Sequence, residues 1–262
     1  MTRLADFSPI VVLCGPGLAD EAGLRPETGP NGLFAEHDRE EVADLEAFED
    51  NPDRVWDFHE MRRELCLNAE PGGGHRALAE IAAERPELII VTTAMDGLLQ
   101  RAGVPAERVI ELHGSLFRAR CTALADEAGV SGAGSDSAAL CPPVALGDEW
   151  MPERFCRCGA WLRPDALWSG EEVDSARFEA ASDKVSATRL VLGLGLRELM
   201  FPAAGLISLA SEAGATMIEI DTVDGPVSPL FEYAVRGGLG AELSALWDAD
   251  EIPGLAPPEP PA

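Results

Sequence analysis

A pair of glycines stands directly after a short apolar run near the start of the chain. The run Ile10–Leu13 is typical of a buried strand. Gly15 and Gly17 follow it, and the next residues, 18–22, can begin a helix. A strand, a glycine turn and a helix N-terminus together present backbone N–H groups to an anion, which suits the pyrophosphate of a dinucleotide. The spacing does not complete the GxGxxG fingerprint, so an ordinary tight turn is the competing interpretation.

Six cysteines form the second set of residues with possible chemistry, and four of them lie within residues 121–158. The four are Cys121, Cys141, Cys156 and Cys158. The first residues, MTRLADFSP, lack the apolar core of a secretory signal, so we expect a cytoplasmic location. In that compartment clustered cysteines more often bind a metal or remain free thiols than form disulfides.

Alternating apolar and helix-periodic segments must position these residues. Buried strands are predicted at 10–13, 87–93, 109–112, 189–195 and 215–220, with an edge strand at 233–236. This alternation predicts an α/β fold with a Rossmann-like, doubly wound parallel sheet. Ligands of such sheets bind beyond the carboxyl ends of the strands, where the sequence places Gly15, Thr93, His113, Gly195 and Asp221. His113 is therefore a candidate general base, with a structural histidine as the alternative.

Two stretches interrupt the alternation within one expected domain over residues 1–262. The Rossmann part is predicted at 8–25, 70–115 and 165–250, a helical insertion at 26–69 and a cysteine-bearing insertion at 116–164. Helices are predicted at 39–48 and 54–67, and a flexible loop at 127–138. The proline-rich residues 251–262 are predicted to form a disordered tail.

The composition excludes some classes of partner. Hydrophobic residues make up 46% of the 262 residues, which supports a sizeable core. A net charge of −26 repels nucleic-acid phosphates, so we expect no nucleic-acid partner. No run of 18 apolar residues occurs, so we expect no membrane partner either. The acidity either attracts basic protein segments or serves solubility in a salty cytoplasm.

Short motifs occur in one order along nearly the whole chain. They are GPG at 15–17 with Glu21 and Gly23, GPNGL at 29–33, VWDFHEMRREL at 55–65, HRAL at 75–78, DGL at 96–98, QRAG at 100–103, IELHGS at 110–115, LRPD at 162–165, GE at 170–171, PAAG at 202–205 and EID at 219–221. In this order they resemble the sirtuin family, the NAD-dependent protein deacylases. The resemblance implies a large Rossmann domain with a small helical and zinc-bearing lobe.

The same resemblance implies NAD as cofactor and an acylated lysine on a protein as substrate. It implies that His113 is the general base and that Asp96 binds the carboxamide of nicotinamide. The phosphates and the adenine ribose are expected at Gly15, Pro16, Gly17, Glu21, Gly195, Arg197 and Asp221. Substrate-binding positions are implied at His59, Arg62, Trp168, Ser169 and Gly170.

His59 and Arg62 lie one helical turn apart, where sirtuins that remove acidic acyl groups carry Tyr-x-x-Arg. Arg62 therefore either receives a carboxylate from the substrate or is a surface arginine.

Several positions depart from the sirtuin pattern, and most of them lie in the expected site. Glu27 and Thr28 stand where the family has a phenylalanine and an arginine, and Ala94 stands where it has an asparagine that orients the ribose. Each lost hydrogen bond of that kind costs on the order of 10²–10³ in rate. Leu124 and Phe155 hold two expected cysteine positions, so Cys141 and Cys156 are the possible substitutes for them.

These departures leave three functions and two states of the lobe open. The protein is an NAD-dependent deacylase with impaired or altered activity, an inactive scaffold that binds NAD or ADP-ribose, or an enzyme of another NAD-consuming reaction such as hydrolysis or ADP-ribosyl transfer. The lobe either binds zinc through a Cys-x-Cys pair and two distant cysteines, or is held without metal by Phe155, Trp161 and Leu162.

Overall fold

A six-stranded parallel sheet forms the centre of the molecule. The computed structural model describes residues 2–123, 141–147, 154–197 and 202–257. The strands of this sheet are β1 (Ile10–Cys14), β2 (Ile89–Thr92), β3 (Val109–Glu111), β7 (Leu190–Leu194), β8 (Thr216–Asp221) and β9 (Tyr233–Arg236), and their order across the sheet is β3-β2-β1-β7-β8-β9. The predicted doubly wound sheet is confirmed, and its edge strand at 233–236 has the predicted bounds.

Helices flank both faces of this sheet or build a separate module. They are α1 (Gly17–Asp20), α2 (Arg39–Val42), α3 (Leu45–Asp50), α4 (Pro52–Asn68), α5 (Gly73–Glu84), α6 (Leu98–Arg101), α7 (Ser175–Ser186), α8 (Ala203–Glu212) and α9 (Leu239–Asp248). No helix within the described ranges is both long and apolar enough to cross a bilayer.

The strand β1 shows why the sheet is covered on both faces. Ile10, Val12 and Cys14 point into the core beneath α5 and α9, whereas Val11 and Leu13 point into the core beneath α7 and α8. Successive side chains of a strand point to opposite faces, so an unbroken apolar run requires helices on each side. Because the strands are all parallel, their carboxyl ends meet at one open edge of the sheet.

A second module, the small lobe, consists of α2–α4 and a three-stranded antiparallel sheet. The sheet contains β4 (Gly114–Cys121), β5 (Val144–Ala145) and β6 (Leu162–Ala166), in the order β5-β4-β6. The sequence alone indicated only an insertion at 116–164 and assigned no strand there, whereas β5 and most of β4 and β6 lie in this range. The reason is that β4 pairs with a strand about 45 residues further along the chain, as in Cys121 opposite Leu162, and mixes charged with apolar residues.

Two predicted helix boundaries change for identifiable reasons. The helix expected at 39–48 is two helices, because Asp38 caps α2 by accepting from Glu40 N–H and Asp44 caps α3 by accepting from Glu46 N–H. The helix expected at 54–67 begins at Pro52, and the side chain of Asn51 caps it.

The disorder predicted for residues 251–262 is wrong for their described part, 251–257. Ile252 donates its backbone N–H to the carbonyl of Thr2 at 2.9 Å, and Leu255 is buried in the core beside α9. Tyr233 also donates its hydroxyl to the carbonyl of Gly254. The remaining five residues and the loop predicted at 127–138 lie outside the described residues.

Candidate functional site

The glycine turn after β1 packs directly against the turn after β7. Gly15 donates its N–H to the carbonyl of Leu194 at 3.0 Å, and Gly17 donates to the carbonyl of Gly195 at 3.1 Å. A Cβ on Gly15 would overlap the carbonyl oxygen of Gly195, and one on Gly17 would lie 2.8 Å from the Cα of Gly195. Gly195 itself has a φ of +60°. Glycine is therefore required here for the contact between two backbones, in addition to the predicted approach of a phosphate.

Arg197 lies beside this turn, where the sequence predicted a positive charge for phosphates. Its guanidinium forms a hydrogen bond with Asp20, lies 3.5 Å from Oδ1 of Asp221 and donates to the hydroxyl of Thr222 at 3.2 Å. Asp221 is buried at the end of β8 and also accepts the N–H of Thr222. The positive charge at the turn is consequently balanced by two carboxylates.

Glu21 ties the glycine turn to two helix N-termini. Its carboxylate accepts the N–H of Gly74 in α5 at 2.7 Å and the N–H of Gly240 in α9 at 3.3 Å. Helix N-termini favour negative charge, so this placement stabilises the packing of both helices. Pro16 precedes α1 as its N-cap residue. The carboxylate of Glu21 thus has structural partners, and its contact with a cofactor stays a prediction.

Asp96 and His113 lie beyond the ends of β2 and β3. Asp96 is buried and accepts the N–H of Leu98 at 2.9 Å, and burial raises its pKa to about 6. Burial lowers the pKa of His113 below its ordinary value, and the carboxylate of Glu27 opposes that change. A neutral imidazole at neutral pH is the form that a general base needs.

His59 is fixed by two hydrogen bonds within the small lobe. Its Nδ1 donates to the carbonyl of Val55 at 2.9 Å, and its Nε2 accepts from the indole N–H of Trp168 at 3.1 Å. Burial lowers the pKa of His59 to about 3, so the ring is neutral. Both ring nitrogens are engaged, and the side chain therefore positions Trp168 in this structure.

Trp168, Ser169 and Gly170 form a turn after β6 that side chains hold in place. Ser169 donates its N–H to the carbonyl of Ala43 at 3.0 Å, and Gly170 has a φ of +77°. Glu171 accepts the N–H of Trp168 at 2.9 Å and two hydrogen bonds from Arg163, at 2.6 and 2.7 Å. The predicted substrate-binding turn is thus rigidly supported.

Sequence reasoning missed the supporting roles of Arg163 and Glu171. The guanidinium of Arg163 also lies 3.4 Å from the centre of the Trp168 ring, in a cation–π contact. A charged residue inside the segment LRPDALW was the available signal, since a buried arginine needs an acidic partner.

Arg62 is buried, with a relative exposure of 7%, so its interpretation as a surface arginine was wrong. Its guanidinium donates to the carboxylate of Glu27, the residue that replaces the family's phenylalanine. The sequence identified both residues but not their contact.

The four clustered cysteines converge in the small lobe. Their Sγ atoms all lie within 4.8 Å of one another, and those of Cys121 and Cys158 are 3.4 Å apart. Four thiolates about 2.3 Å from a tetrahedral zinc ion lie roughly 3.8 Å from each other, so this set fits zinc. The backbone N–H of Ala160 lowers the pKa of Cys158 to about 7, which favours the thiolate that a metal binds.

The metal-free alternative for the lobe also has a structural counterpart. Phe155, which holds an expected cysteine position, packs its ring 4.4 Å from the ring of Trp161. This contact lies beside the four thiols and does not replace them. The other such position, Leu124, lies outside the described residues.

The class of this protein is defined by a Rossmann-type sheet with a glycine turn, by a buried aspartate and a half-buried histidine at the open edge of that sheet, and by an inserted four-cysteine lobe. The model of the Sir2 family matches residues 15–199, and the chain belongs to that family.

The relatives cover nearly the whole chain. NAD-dependent protein deacylase 2 of Pyrobaculum aerophilum is 34% identical over 246 residues, which are 93% of this chain and 91% of the relative. The mitochondrial NAD-dependent protein deacylase sirtuin-5 of Canis lupus familiaris is 31% identical over 268 residues, which cover 92% of this chain and 84% of the relative. A Sir2 homologue in complex with NAD has a TM-score of 0.77 and 29% identity, over 93% of this chain and 89% of that chain. A mutant Sir2 homologue in complex with ADP-ribose has a TM-score of 0.78 and 29% identity, over 93% and 92%.

Proposed function

We propose that this protein binds NAD at the open edge of its large sheet and is an NAD-dependent protein-lysine deacylase with reduced turnover. The observation that carries the proposal is the meeting of Gly15, Asp96, His113, Gly195 and Asp221 at the carboxyl ends of five parallel strands. Family membership, relatives named as deacylases and a homologue solved with NAD support the same conclusion.

Each residue then has a defined physical task. NAD bound in this cleft would supply an electrophilic ribose carbon for the amide oxygen of the acyl-lysine, with nicotinamide as the leaving group. Asp96 offers hydrogen bonds from a buried site to the nicotinamide carboxamide. His113, neutral because burial lowers its pKa, removes a proton from a ribose hydroxyl. The turn Trp168–Gly170 positions the acyl-lysine, and the four cysteines of the small lobe would hold a zinc ion that supports that side of the cleft.

Reduced turnover follows from Ala94. Its backbone N–H donates to the hydroxyl of Thr92 at 3.0 Å, and its methyl group offers no hydrogen bond to a ribose. A missing hydrogen bond at a reacting group costs on the order of 10²–10³ in rate. The same residue favours the second candidate function, a scaffold that binds NAD or ADP-ribose without turnover, because binding does not depend on that hydrogen bond.

Nicotinamide release and heat stabilisation test the proposal together. We expect NAD to raise the melting temperature and an acetyl-lysine peptide to be required for slow nicotinamide release. His113→Ala should lower release by about 10²–10⁴ and keep the stabilisation by NAD. His37→Ala is the matched control. His37 packs on Phe58 of α4 in the small lobe, so this substitution should leave both readouts unchanged.

Other results would select among the alternatives. Stabilisation by NAD without release identifies the scaffold, and release that needs no peptide identifies hydrolysis of NAD. The absence of both stabilisation and release would contradict the proposal as a whole. Release that persists in His113→Ala would contradict the assignment of the base.

A further inference from the structure

The ion pair between Glu27 and Arg62 joins a loop to the long helix α4. Arg62 is buried at 7% relative exposure, and the side chain of Glu27 is 42% exposed. Backbone hydrogen bonds hold the loop, with Phe34 donating to the carbonyl of Glu27 at 3.0 Å and Leu33 donating to that of Pro26 at 2.9 Å. The carboxylate is therefore fixed on the guanidinium by the fold of the loop.

This pair lies close to the groups assigned to catalysis. The carboxylate of Glu27 is near enough to His113 to oppose the lowering of its pKa by burial. The charges of Asp96, Arg62 and Glu27 all act on the pKa of Cys66, which burial raises to about 12. Glu27 and Arg62 are consequently close to the groups that follow β2 and β3.

The neighbouring polar groups already have partners. His59, one helical turn before Arg62, has both ring nitrogens in hydrogen bonds, one with the carbonyl of Val55 and one with the indole of Trp168. Arg101, the other cation whose charge acts on Cys66, donates to the backbone carbonyl of that residue at 2.6 Å. Of the two described cations whose charges act on Cys66, Arg62 is thus the one that an acidic group would meet, and it is already paired with Glu27.

We propose that Glu27 determines the acyl specificity of the site by occupying Arg62, so that uncharged acyl groups are accepted and acyl groups ending in a carboxylate are rejected. The inference rests on the deacylase function proposed above. An incoming carboxylate would approach a guanidinium that is already neutralised and would lie beside a second carboxylate of like charge. Coulomb repulsion is strong in a partly desolvated cleft, so discrimination follows from repulsion as well as from the missing attraction.

Substitution of Glu27 should therefore change the substrate preference. Glu27→Gln keeps the size and the hydrogen-bonding capacity of the side chain but removes its charge. The buried guanidinium of Arg62 then lacks a counter-ion, which is unfavourable until an acidic acyl group supplies one. Selectivity for acetyl over succinyl should fall or invert.

The experiment compares acetyl-lysine and succinyl-lysine peptides of one sequence with NAD. For wild type we expect kcat/KM for the acetyl peptide to exceed that for the succinyl peptide by about tenfold or more. Glu27→Gln should move this ratio toward the succinyl peptide by about 10–100-fold, and adding Arg62→Gln should cancel the gain. If turnover is slow, calorimetry in the presence of ADP-ribose measures the dissociation constants of the same two peptides, and their ratio replaces the ratio of kcat/KM.

Glu36→Gln is the matched control, because Glu36 pairs with Arg25 on the surface and should not affect the ratio. If Glu27→Gln does not fold, Glu27→Ala tests the same loss of charge. An unchanged ratio in a folded Glu27 variant, or a wild type that prefers the succinyl peptide, would overturn the inference while leaving the deacylase intact. A wild type that binds neither NAD nor either peptide would instead overturn the proposed function itself.

Discussion

The open edge of the large sheet and the small lobe hold their functional groups by different means. At the sheet edge the backbone positions them, through strand register and the contact between the turns at Gly15 and Gly195. In the lobe long side chains do so, through the pairs Trp168–His59 and Glu171–Arg163 and through the four thiols.

This difference predicts that the two regions respond differently to an added atom, to a change of charge and to the loss of a metal. Backbone contacts carry no titratable charge and tolerate no added atom, whereas side-chain contacts depend on charge and, for the cysteines, on a metal. The position of Glu27 fits this difference, because Glu27 forms an ion pair with Arg62 of α4 in the small lobe. Changes of specificity are thus expected on the lobe side, and changes of binding at the sheet edge.

The largest effect is expected from removing one of the four thiols. The purified protein should contain stoichiometric zinc, and Cys158→Ser should lose it, because a structural zinc site needs its full set of four ligands. Since metal binding is coupled to folding, the lobe should then unfold separately from the large sheet. Metal analysis and heat unfolding measure both effects.

Cys66→Ala is the control for this experiment, since Cys66 is buried outside the four-thiol set. It should retain zinc. Wild-type protein without zinc, or Cys158→Ser with undiminished zinc, would contradict the metal site.

Gly15→Ala should have the next largest effect. The added Cβ would overlap the carbonyl oxygen of Gly195 and force the two turns apart. Overpacking of this kind costs about 1–3 kcal/mol, which corresponds to a fall in melting temperature of very roughly 2–12 °C, and stabilisation by NAD should be lost. Gly147→Ala is the control, because a Cβ there meets no atom within 4 Å. Equal stability of the two variants would contradict the close backbone contact between the turns at Gly15 and Gly195.

Asp96→Asn should stabilise the protein in a pH-dependent way. The pKa of Asp96 is raised from 3.8 to about 6, so the favourable contribution of its protonated form is complete below pH 3.8 and is lost as the pH rises through about 6. Removal of the carboxylate should therefore raise the melting temperature more at pH 7.5 than at pH 4, by a few degrees, while nicotinamide release falls.

Unfolding curves at the two pH values test this prediction. Asp183→Asn, a change at an exposed position of α7, should give no such difference. A stabilisation by Asp96→Asn that is equal at both pH values would show that the carboxylate is not held protonated by burial.

Trp168→Phe is expected to remove one hydrogen bond, without the loss of stabilisation by NAD that Gly15→Ala should cause. The variant loses the indole N–H that donates to His59, which leaves a buried acceptor unpaired at a cost of about 1–3 kcal/mol. Trp247→Phe is the control, since its indole binds Glu84 at the surface. Heat unfolding should separate them by a few degrees, and a Trp168 variant as stable as the control would remove His59 from the support of this turn.

The large sheet could be predicted from the sequence because each strand is a short, continuous apolar run. The segments 10–13 and 233–236 have nearly the predicted bounds, and His113 and Asp221 lie at strand ends as expected. The small-lobe sheet could not be predicted in this way. Its strands β4 and β6 mix charged and apolar residues, and they pair with each other although most of the cysteine-bearing insertion separates them in the chain.

The sequence by itself determined the fold class, the glycine turn, the residues at the strand ends and the identity of the four cysteines, because periodicity and residue type are local properties. Only the tertiary structure decided that Arg62 pairs with Glu27, 35 residues away, and that His59 accepts a hydrogen bond from Trp168, 109 residues away. It also decided that a Cys-x-Cys pair and two distant cysteines place their sulfur atoms within 4.8 Å. The physical reason is that the state of a buried charge or thiol is set by the partners that packing brings to it, and chain distance does not encode those partners.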